Sequence, residues 1–297
     1  MALLLGCSGG TVLQHLDPTL AMMVPDYRWR GDLPSAQRPE LFRLIRSERL
    51  LNGLEGLIGP EITASPVCHF NLKLPRAKRD LAVKIAVAAE QNAPHRNLLW
   101  SFHVGIGSAW HTDAAYGFTD SFSSRIINAW IPLTPASPEN SCLQVSPGSH
   151  RWNPETIISA ERVAGNAVAI PAKPGDVIFL HNNLAHTSLD NEASTDIRWA
   201  FNSRYVLTGQ PTGRPFLPSF VARSRAAPER ELHDPELWGR IWRAALEFLS
   251  NNPYPPTLGR TLEEAEAITA RWQEATREYS DWLDISRKFN GWYGPRA

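Results

Sequence analysis

The chain between residues 61 and 207 consists of short stretches that are apolar or that alternate apolar with polar residues. Turn-forming clusters such as Lys173-Pro174-Gly175-Asp176 separate them, which predicts β-strands joined by turns. The predicted strands are 61–74, 97–104, 125–131, 142–145, 177–181 and 197–207. Strands this short and regularly spaced favour an antiparallel sandwich or barrel, so the predicted fold class is mainly β with some α.

Helical periodicity flanks this β region. In residues 38–58 apolar residues recur at helical spacing, with a break predicted near Gly53 and an end at Gly59-Pro60. After residue 226 two further apolar stripes occur, both containing Trp, and prolines between them separate two helices. We expect these C-terminal helices to form an accessory layer on the β domain, and the alternative is a homodimer interface.

Residues 76–93 are predicted to be helical, and four basic residues lie in their first half: Arg76, Lys78, Arg79 and Lys84. Such a segment is either a solvated helix face or a lid over a binding site. The predicted organisation is one domain over residues 1–225, with an insert at 75–109, and a helical extension over 226–297 packed on the same domain.

Two predicted strands carry a polar row on one face, because successive side chains on a strand point to opposite faces. The rows are His69, Asn71 and Lys73 in the first strand, and Arg198, Asn202 and Arg204 in the last, opposite Trp199, Phe201 and Tyr205. Such a face is either exposed to solvent or lines a barrel that holds a polar ligand. In the second case Arg198 would anchor a dicarboxylate co-substrate, because a buried arginine needs an anionic partner.

Trp110-His111-Thr112-Asp113 is the stretch most typical of a metal site. In an extended strand His111 and Asp113 point to the same side. An imidazole and a carboxylate are two of the three ligands of a non-haem iron(II) site, and a later His such as His186 completes the set. The spacing alone is weak evidence for a metal site, because a chain with 9 His and 30 Asp or Glu residues will contain a His two positions before an acidic residue by chance. His15-Leu16-Asp17 is such a pair. That second pair precedes Pro18 and lacks a strand-like context.

Composition excludes several partners and sites. The net charge is zero, which argues against nucleic-acid binding and against anionic membranes. Cys7, Cys68 and Cys142 lie far apart without a CxxC pair, so we expect a reducing compartment and no thiolate zinc site. No apolar run approaches the ~20 residues of a transmembrane helix. The run before Cys7 lacks the basic start of a secretion signal, so we expect a cytoplasmic protein.

Several further motifs follow in order along the chain. They are Trp110-His111-Thr112-Asp113, Asn128-Ala129-Trp130-Ile131-Pro132-Leu133, Glu139-Asn140-Ser141-Cys142-Leu143, Ser146-Pro147-Gly148-Ser149-His150, Pro174-Gly175-Asp176, His186-Thr187-Ser188 and Arg198. In this order they resemble the phytanoyl-CoA dioxygenase (PhyH-like) family of Fe(II)/2-oxoglutarate-dependent oxygenases, over about residues 38–225. The resemblance implies a double-stranded β-helix, a jelly-roll or cupin-like core, with helices on one outer face.

The resemblance also implies roles for individual residues. Those that match the catalytic iron ligands are His111, Asp113 and His186. Those that match the 2-oxoglutarate pocket are Arg198 and Ser188 at the distal carboxylate, Trp130 as a lining aromatic and, as a weaker match, Asn71. The family usually has Gly where Ser141 stands, so the turn there is expected to differ in backbone conformation. Related halogenases have Ala or Gly at the position of the carboxylate ligand, so the presence of Asp113 argues against a halogenase.

The implied activity uses Fe(II), 2-oxoglutarate and O2 to hydroxylate an unactivated C–H bond of a small molecule, with release of succinate and CO2. The substrate would be a secondary metabolite, an amino acid or an acyl compound. The alternatives are desaturation or ring formation on the same scaffold, and a cupin-like binding protein without turnover. Near the end of this domain we expect Arg223 and Arg225 to lie in a solvated basic loop, and contact with an anionic substrate is the alternative.

Overall fold

The computed structural model describes residues 39–76, 110–116, 124–152, 158–193, 196–212 and 218–242. The helices are α1 (Pro39–Ile45), α2 (Glu48–Ile58) and α3 (Ala160–Val163), and residues 235–242 are also helical. The strands are β1 (Glu61–Lys73), β2 (Ile127–Pro132), β3 (Leu143–Val145), β4 (Val168–Ile170), β5 (Ile178–His181), β6 (His186–Ser188), β7 (Arg198–Leu207) and β8 (Phe220–Ser224). Single 3-10 turns cover Asp113–Tyr116, Ser149–Arg151 and Pro228–Arg230.

Five of the predicted strands are confirmed as β1, β2, β3, β5 and β7. The sequence patterns did not predict β4, β6 and β8. The predicted helix at 76–93 and the predicted strand at 97–104 lie, apart from the first residue, outside the described residues. None of the described helices is both long and apolar enough to cross a bilayer.

The strands form two antiparallel sheets. The larger sheet has the order β5-β2-β7-β1-β8, and the smaller has the order β4-β3-β6. Apolar side chains from both sheets pack together between them, among them Trp130 and Ala200 from the larger sheet and Leu143 and Val145 from the smaller. This mainly β, jelly-roll arrangement of two packed sheets is the fold class predicted from the sequence.

Helices cover the outer face of the larger sheet. The helix α2 buries Leu50, Leu51, Leu54 and Ile58 in a cluster that includes Phe201 and Tyr205 of β7. Residues 235–242 join the same cluster, and the ring of Trp238 lies 4.8 Å from the ring of Phe220 and 6.2 Å from that of Phe42. The accessory layer formed by the C-terminal helices, the division at residue 225 and the dimer interface stay predictions.

The break between the first two helices lies at residues 46–47, so the break predicted near Gly53 is wrong. Ser47 has an extended backbone, with φ −60° and ψ 133°, and it precedes the first turn of α2. Gly53 lies inside α2, where the helix passes close to β5. A Cβ atom at Gly53 would lie 2.9 Å from Cε2 of Phe179, so glycine permits this close packing instead of ending the helix.

The central strand β7 separates charged from apolar side chains. Phe201 and Tyr205 point to the helices, and the hydroxyl of Tyr205 donates to the carbonyl of Ile45 at 2.9 Å. Arg198 and Arg204 lie on the opposite face and are 0% and 7% exposed. The polar row of this strand therefore faces the space between the sheets, as the ligand-holding alternative required.

A second group of charges attaches α2 to β8. Arg223 is 4% exposed and donates to Glu55 at 2.7 Å, to Asn52 at 2.7 Å and to Glu48. Arg225 is exposed and pairs with Glu55 at 3.0 Å. The prediction of a solvated basic loop is wrong for Arg223, because this residue belongs to a buried strand. Both guanidinium groups are matched by carboxylates of the helix rather than directed to the space between the sheets.

The contrast between two leucines of α2 tests this packing. Leu54 is 0% exposed, whereas Leu57 on the same helix is 53% exposed. We expect Leu54→Ala to lower the free energy of unfolding by about 2–5 kcal/mol, because it leaves a cavity against the sheet. Leu57→Ala should change it by less than about 0.5 kcal/mol. Urea denaturation of both variants measures the difference, and equal effects would contradict the described orientation of α2.

Candidate metal and co-substrate site

His111, Asp113 and His186 meet between the two sheets. Nε2 of His186 lies 3.6 Å from Oδ2 of Asp113, and Nε2 of His111 lies 3.9 Å from Oδ1. One donor atom from each of the three residues falls within 4.8 Å of the others, which is the spacing of ligands around a single ion. The three side chains are 9–17% exposed, so an ion bound there would be largely shielded from solvent.

The backbone brings these residues together by a route that the sequence reading did not foresee. His111 forms an isolated antiparallel bridge with His186, the first residue of β6, with N–H to O distances of 3.1 and 3.0 Å in the two directions. Asp113 does not continue a strand, because it begins the 3-10 turn Asp113–Tyr116. The assumption of one extended strand through both residues is therefore wrong, although the two side chains do converge.

The hydrogen bonding of His186 makes its inward nitrogen a suitable metal ligand. Nδ1 lies 2.9 Å from the carbonyl oxygen of Leu184, which can only accept a hydrogen bond, so the neutral ring carries its proton on Nδ1. Nε2 then presents a lone pair towards the carboxylate of Asp113. Two imidazoles and one carboxylate facing one another in this way suit a divalent cation, and the set matches the facial triad of non-haem iron(II).

Both oxygens of the Asp113 carboxylate are held by side chains of the larger sheet. Nη2 of Arg204 donates to Oδ1 at 2.8 Å, and the amide nitrogen of Asn128 donates to Oδ2. From the sequence, Arg204 belongs to the polar row of its strand and Asn128 to a family motif, and neither is predicted to contact Asp113. Their contact with Asp113 depends on strand pairing, which a single sequence does not specify.

Arg198 is a fully buried cation with no carboxylate partner among the described residues. It donates from Nε to the carbonyl of Ser141 at 2.9 Å, from Nη2 to the hydroxyl of Ser188 at 2.9 Å, and from Nη1 to the carbonyl of Asn71 at 3.3 Å. These are neutral acceptors, and burial lowers the pKa of the guanidinium to about 9. An anion bound beside Arg198 would offset this cost.

The donor count of Arg198 indicates which anion fits. A guanidinium has five N–H groups, and three are used by the protein. One N–H on each terminal nitrogen is therefore left without a partner among the described residues, and each can donate to a carboxylate oxygen. The ring of Trp130 lies 5.3 Å from the guanidinium carbon, and its buried indole N–H has no hydrogen-bond partner in the described part of the chain.

Ser188 links Arg198 to the metal triad. It lies two residues after His186 on β6, so both side chains point to the same face of the strand and their Cα atoms are about 6.6 Å apart. That spacing is short enough for a five-carbon keto diacid to reach from the triad to Arg198. Asn71 contributes its backbone carbonyl to this group, whereas a contact between its side chain and a co-substrate stays a prediction.

Ser141 adopts a left-handed backbone, with φ +76°, a conformation that glycine takes up readily. The expected difference in backbone conformation from the glycine usual in the family stays a prediction. In this conformation its carbonyl accepts from Arg198 and its hydroxyl donates to the carbonyl of Leu189. The strained residue thus fixes one acceptor of the buried guanidinium and the segment that follows β6.

The family model of phytanoyl-CoA dioxygenase (PhyH) matches residues 63–200, which include the triad and Arg198. No curated protein sequence matches the chain.

Several solved structures are similar in fold. EvdMO1 is 23% identical, covering 55% of this chain and 32% of its own, with a TM-score of 0.39. The epimerase SnoN, solved with Fe3+, alpha ketoglutarate and nogalamycin RO, is 20% identical, covering 68% and 70%, with a TM-score of 0.45. EctD from S. alaskensis with bound Fe is 26% identical, covering 60% and 58%, with a TM-score of 0.44. The match spans about a third of EvdMO1, and TM-scores this low assign no activity.

The backbone of Ser141 can be tested by comparing glycine with alanine. Both substitutions remove the hydroxyl, but alanine keeps the penalty of a left-handed Cβ residue. We expect Ser141→Gly to be about 1 kcal/mol more stable than Ser141→Ala in chemical denaturation. Ser203, in the middle of β7, is the control, because there alanine should be the more stable replacement. An alanine variant of Ser141 at least as stable as the glycine variant would argue against the strained conformation.

Proposed function

We propose that the protein hydroxylates an unactivated C–H bond of a small molecule, using Fe(II), 2-oxoglutarate and O2, on the premise that residues 63–200 match the family model of phytanoyl-CoA dioxygenase. His111, Asp113 and His186 would hold the iron. Arg198 would bind the distal carboxylate of 2-oxoglutarate, with Ser188, Trp130 and Asn71 beside it. The broader statement, an iron- and 2-oxoglutarate-dependent oxygenase of this family, follows from the family match and the triad.

One observation carries the proposal: Ser188, two residues after His186 of the His/Asp/His triad, accepts a hydrogen bond from Arg198, a buried arginine whose described partners are all neutral. Either feature alone has a simpler explanation. Polar residues cluster at strand ends in many proteins, and buried arginines occur in structural ion pairs. Together they provide a cation site and an unmatched positive charge at a spacing that suits an α-keto dicarboxylate.

The triad and Arg198 are proposed to bind different groups, the iron and the co-substrate respectively. His111, Asp113 and His186 would supply three ligands to the iron, and Arg198 would supply the charge that binds the distal carboxylate of 2-oxoglutarate. When bound, the iron supplies the oxidising chemistry, in which 2-oxoglutarate is converted to succinate and CO2 while a substrate C–H bond is oxidised. The protein orients the co-substrate through Arg198 and keeps water away through the apolar side chains between the sheets.

The substrate is proposed only as a class. The stretch 114–122, which directly follows Asp113, and the insert 75–109 lie almost entirely outside the described residues. A small secondary metabolite, an amino acid or an acyl compound stays the prediction, as does a homodimer formed through the C-terminal helices.

Loss of a triad ligand should abolish turnover. The purified protein with Fe(II), ascorbate and 2-oxoglutarate is incubated with a metabolite library, and succinate release is measured. We expect His111→Ala and Asp113→Ala to lower succinate release to the level without enzyme. A variant that keeps the wild-type rate would contradict the triad. A wild-type protein that binds 2-oxoglutarate but never releases succinate would favour a binding protein without turnover.

Mass spectrometry of the organic product separates the remaining alternatives. Gain of one oxygen atom supports hydroxylation. Loss of two hydrogen atoms without gain of oxygen would favour desaturation or ring formation on the same scaffold.

Replacing Arg198 should weaken 2-oxoglutarate binding. We expect Arg198→Met to raise the dissociation constant for 2-oxoglutarate by about 100-fold or more, since a buried carboxylate would lose its charged partner at a cost of about 3–5 kcal/mol. Anaerobic calorimetry with Fe(II)-loaded protein measures this constant. Arg225→Met, at an exposed arginine paired with Glu55, is the matched control and should leave it unchanged. Equal affinity in Arg198→Met and the wild type would exclude Arg198 as the anchor.

A further inference from the structure

The carboxylate of Asp113 is held from one side by two residues on neighbouring strands. Arg204 of β7 and Asn128 of β2 are directly paired across the larger sheet, so their side chains point to the same face. Arg204 donates to one oxygen at 2.8 Å and Asn128 to the other. The antiparallel register therefore sets two donors side by side, at a spacing that matches the two oxygens of a carboxylate.

Neither donor has another described use for its side chain. Asn128 is 4% exposed, its donor serves Asp113, and its own amide oxygen has no hydrogen-bond partner in the described ranges. Arg204 is 7% exposed, and Asp113 is its described hydrogen-bond partner. An incompletely paired buried amide destabilises the folded protein. Its presence between two apolar neighbours of β2 points to a role at Asp113.

We propose that Arg204 and Asn128 are positioning residues that hold the carboxylate of Asp113 in the orientation required for metal binding. The inference rests on the proposed function, because it takes the triad to be a metal site. We call Arg204 and Asn128 together the clamp. The clamp keeps the carboxylate oxygens of Asp113 at 3.6 and 3.9 Å from the Nε2 atoms of His186 and His111, which is too far for a hydrogen bond to either ring. The three ligand atoms therefore stay separated, with space for an ion between them.

Without the clamp the carboxylate can rotate about its two side-chain bonds and approach an imidazole. The metal must then restore the orientation when it binds, and affinity falls. Loss of a hydrogen-bonding partner of a metal ligand typically weakens metal binding by about 10–100-fold. Because the positive charge of Arg204 by itself opposes binding of a dication, a clear test changes the geometry and conserves the charge.

Two charge-conserving substitutions meet this condition. Asn128→Leu removes the amide donor in a side chain of similar size, and Arg204→Lys keeps the cation but loses the planar fork. The probe is Co(II) alone, titrated into the metal-free protein without co-substrate and followed by calorimetry and by visible absorption. We expect the dissociation constant to rise about tenfold or more in Asn128→Leu and severalfold in Arg204→Lys, with altered visible bands in both.

Arg198→Lys is the matched control. It is also a charge-conserving change at a buried arginine of β7, but Arg198 does not contact Asp113. It should bind Co(II) with wild-type affinity and spectrum while binding 2-oxoglutarate more weakly. Thermal unfolding of each metal-free variant separates loss of folded protein from loss of metal affinity, and Co(II) affinity is compared at temperatures at which all variants are folded.

The outcomes separate the two levels of the proposal. If the wild-type protein does not bind Co(II), the proposed metal site itself fails, and the clamp fails with it. If the wild type binds Co(II), and Asn128→Leu and Arg204→Lys bind it with the same affinity and spectrum, the clamp is wrong and the metal site stands. Weakened binding in both variants, with the Arg198→Lys control unchanged, supports positioning by Arg204 and Asn128.

Discussion

The register of β7 at the centre of the larger sheet is the constraint on which the site depends. β7 pairs with β1 along one edge and with β2 along the other. Because side chains alternate, the register that buries Phe201 and Tyr205 under the helices turns Arg198 and Arg204 towards the smaller sheet. A slip of one residue would put both charges among the apolar helices. Burial of apolar surface on the outer side therefore determines where the inner charges lie.

The two inward arginines differ in how their charge is balanced. The positive charge of Arg204 is balanced by the carboxylate of Asp113, with which it forms an ion pair. Arg198 is surrounded by two carbonyls and a hydroxyl, and burial lowers its pKa. A buried cation with neutral partners destabilises the folded protein, by several kcal/mol in general. A residue retained at that cost is better explained by a ligand than by folding, which is why Arg198 carries the proposal for the co-substrate.

Local pattern was informative wherever the controlling interaction lay within one strand. Alternation along 197–207 separated the arginines from Phe201 and Tyr205, and the structure confirms that division. It failed where the backbone changes direction. Asp113 begins a 3-10 turn instead of continuing a strand from His111, and Gly53 lies inside α2 against Phe179 instead of ending a helix. Arg223 was misassigned because its carboxylate partners lie about 170 positions earlier in the chain.

The sequence by itself determined the mainly β class, the principal strands and the residue types of the candidate triad, because period-two alternation and ligand chemistry are local properties. Only the tertiary structure decided that His111 and His186 form a β-bridge, that Arg204 and Asn128 donate hydrogen bonds to Asp113, and that Ser141 and Ser188 accept hydrogen bonds from Arg198. The physical reason is that these contacts depend on strand register and on backbone turns. Both are set by the packing of distant segments, which no single stretch of the chain encodes.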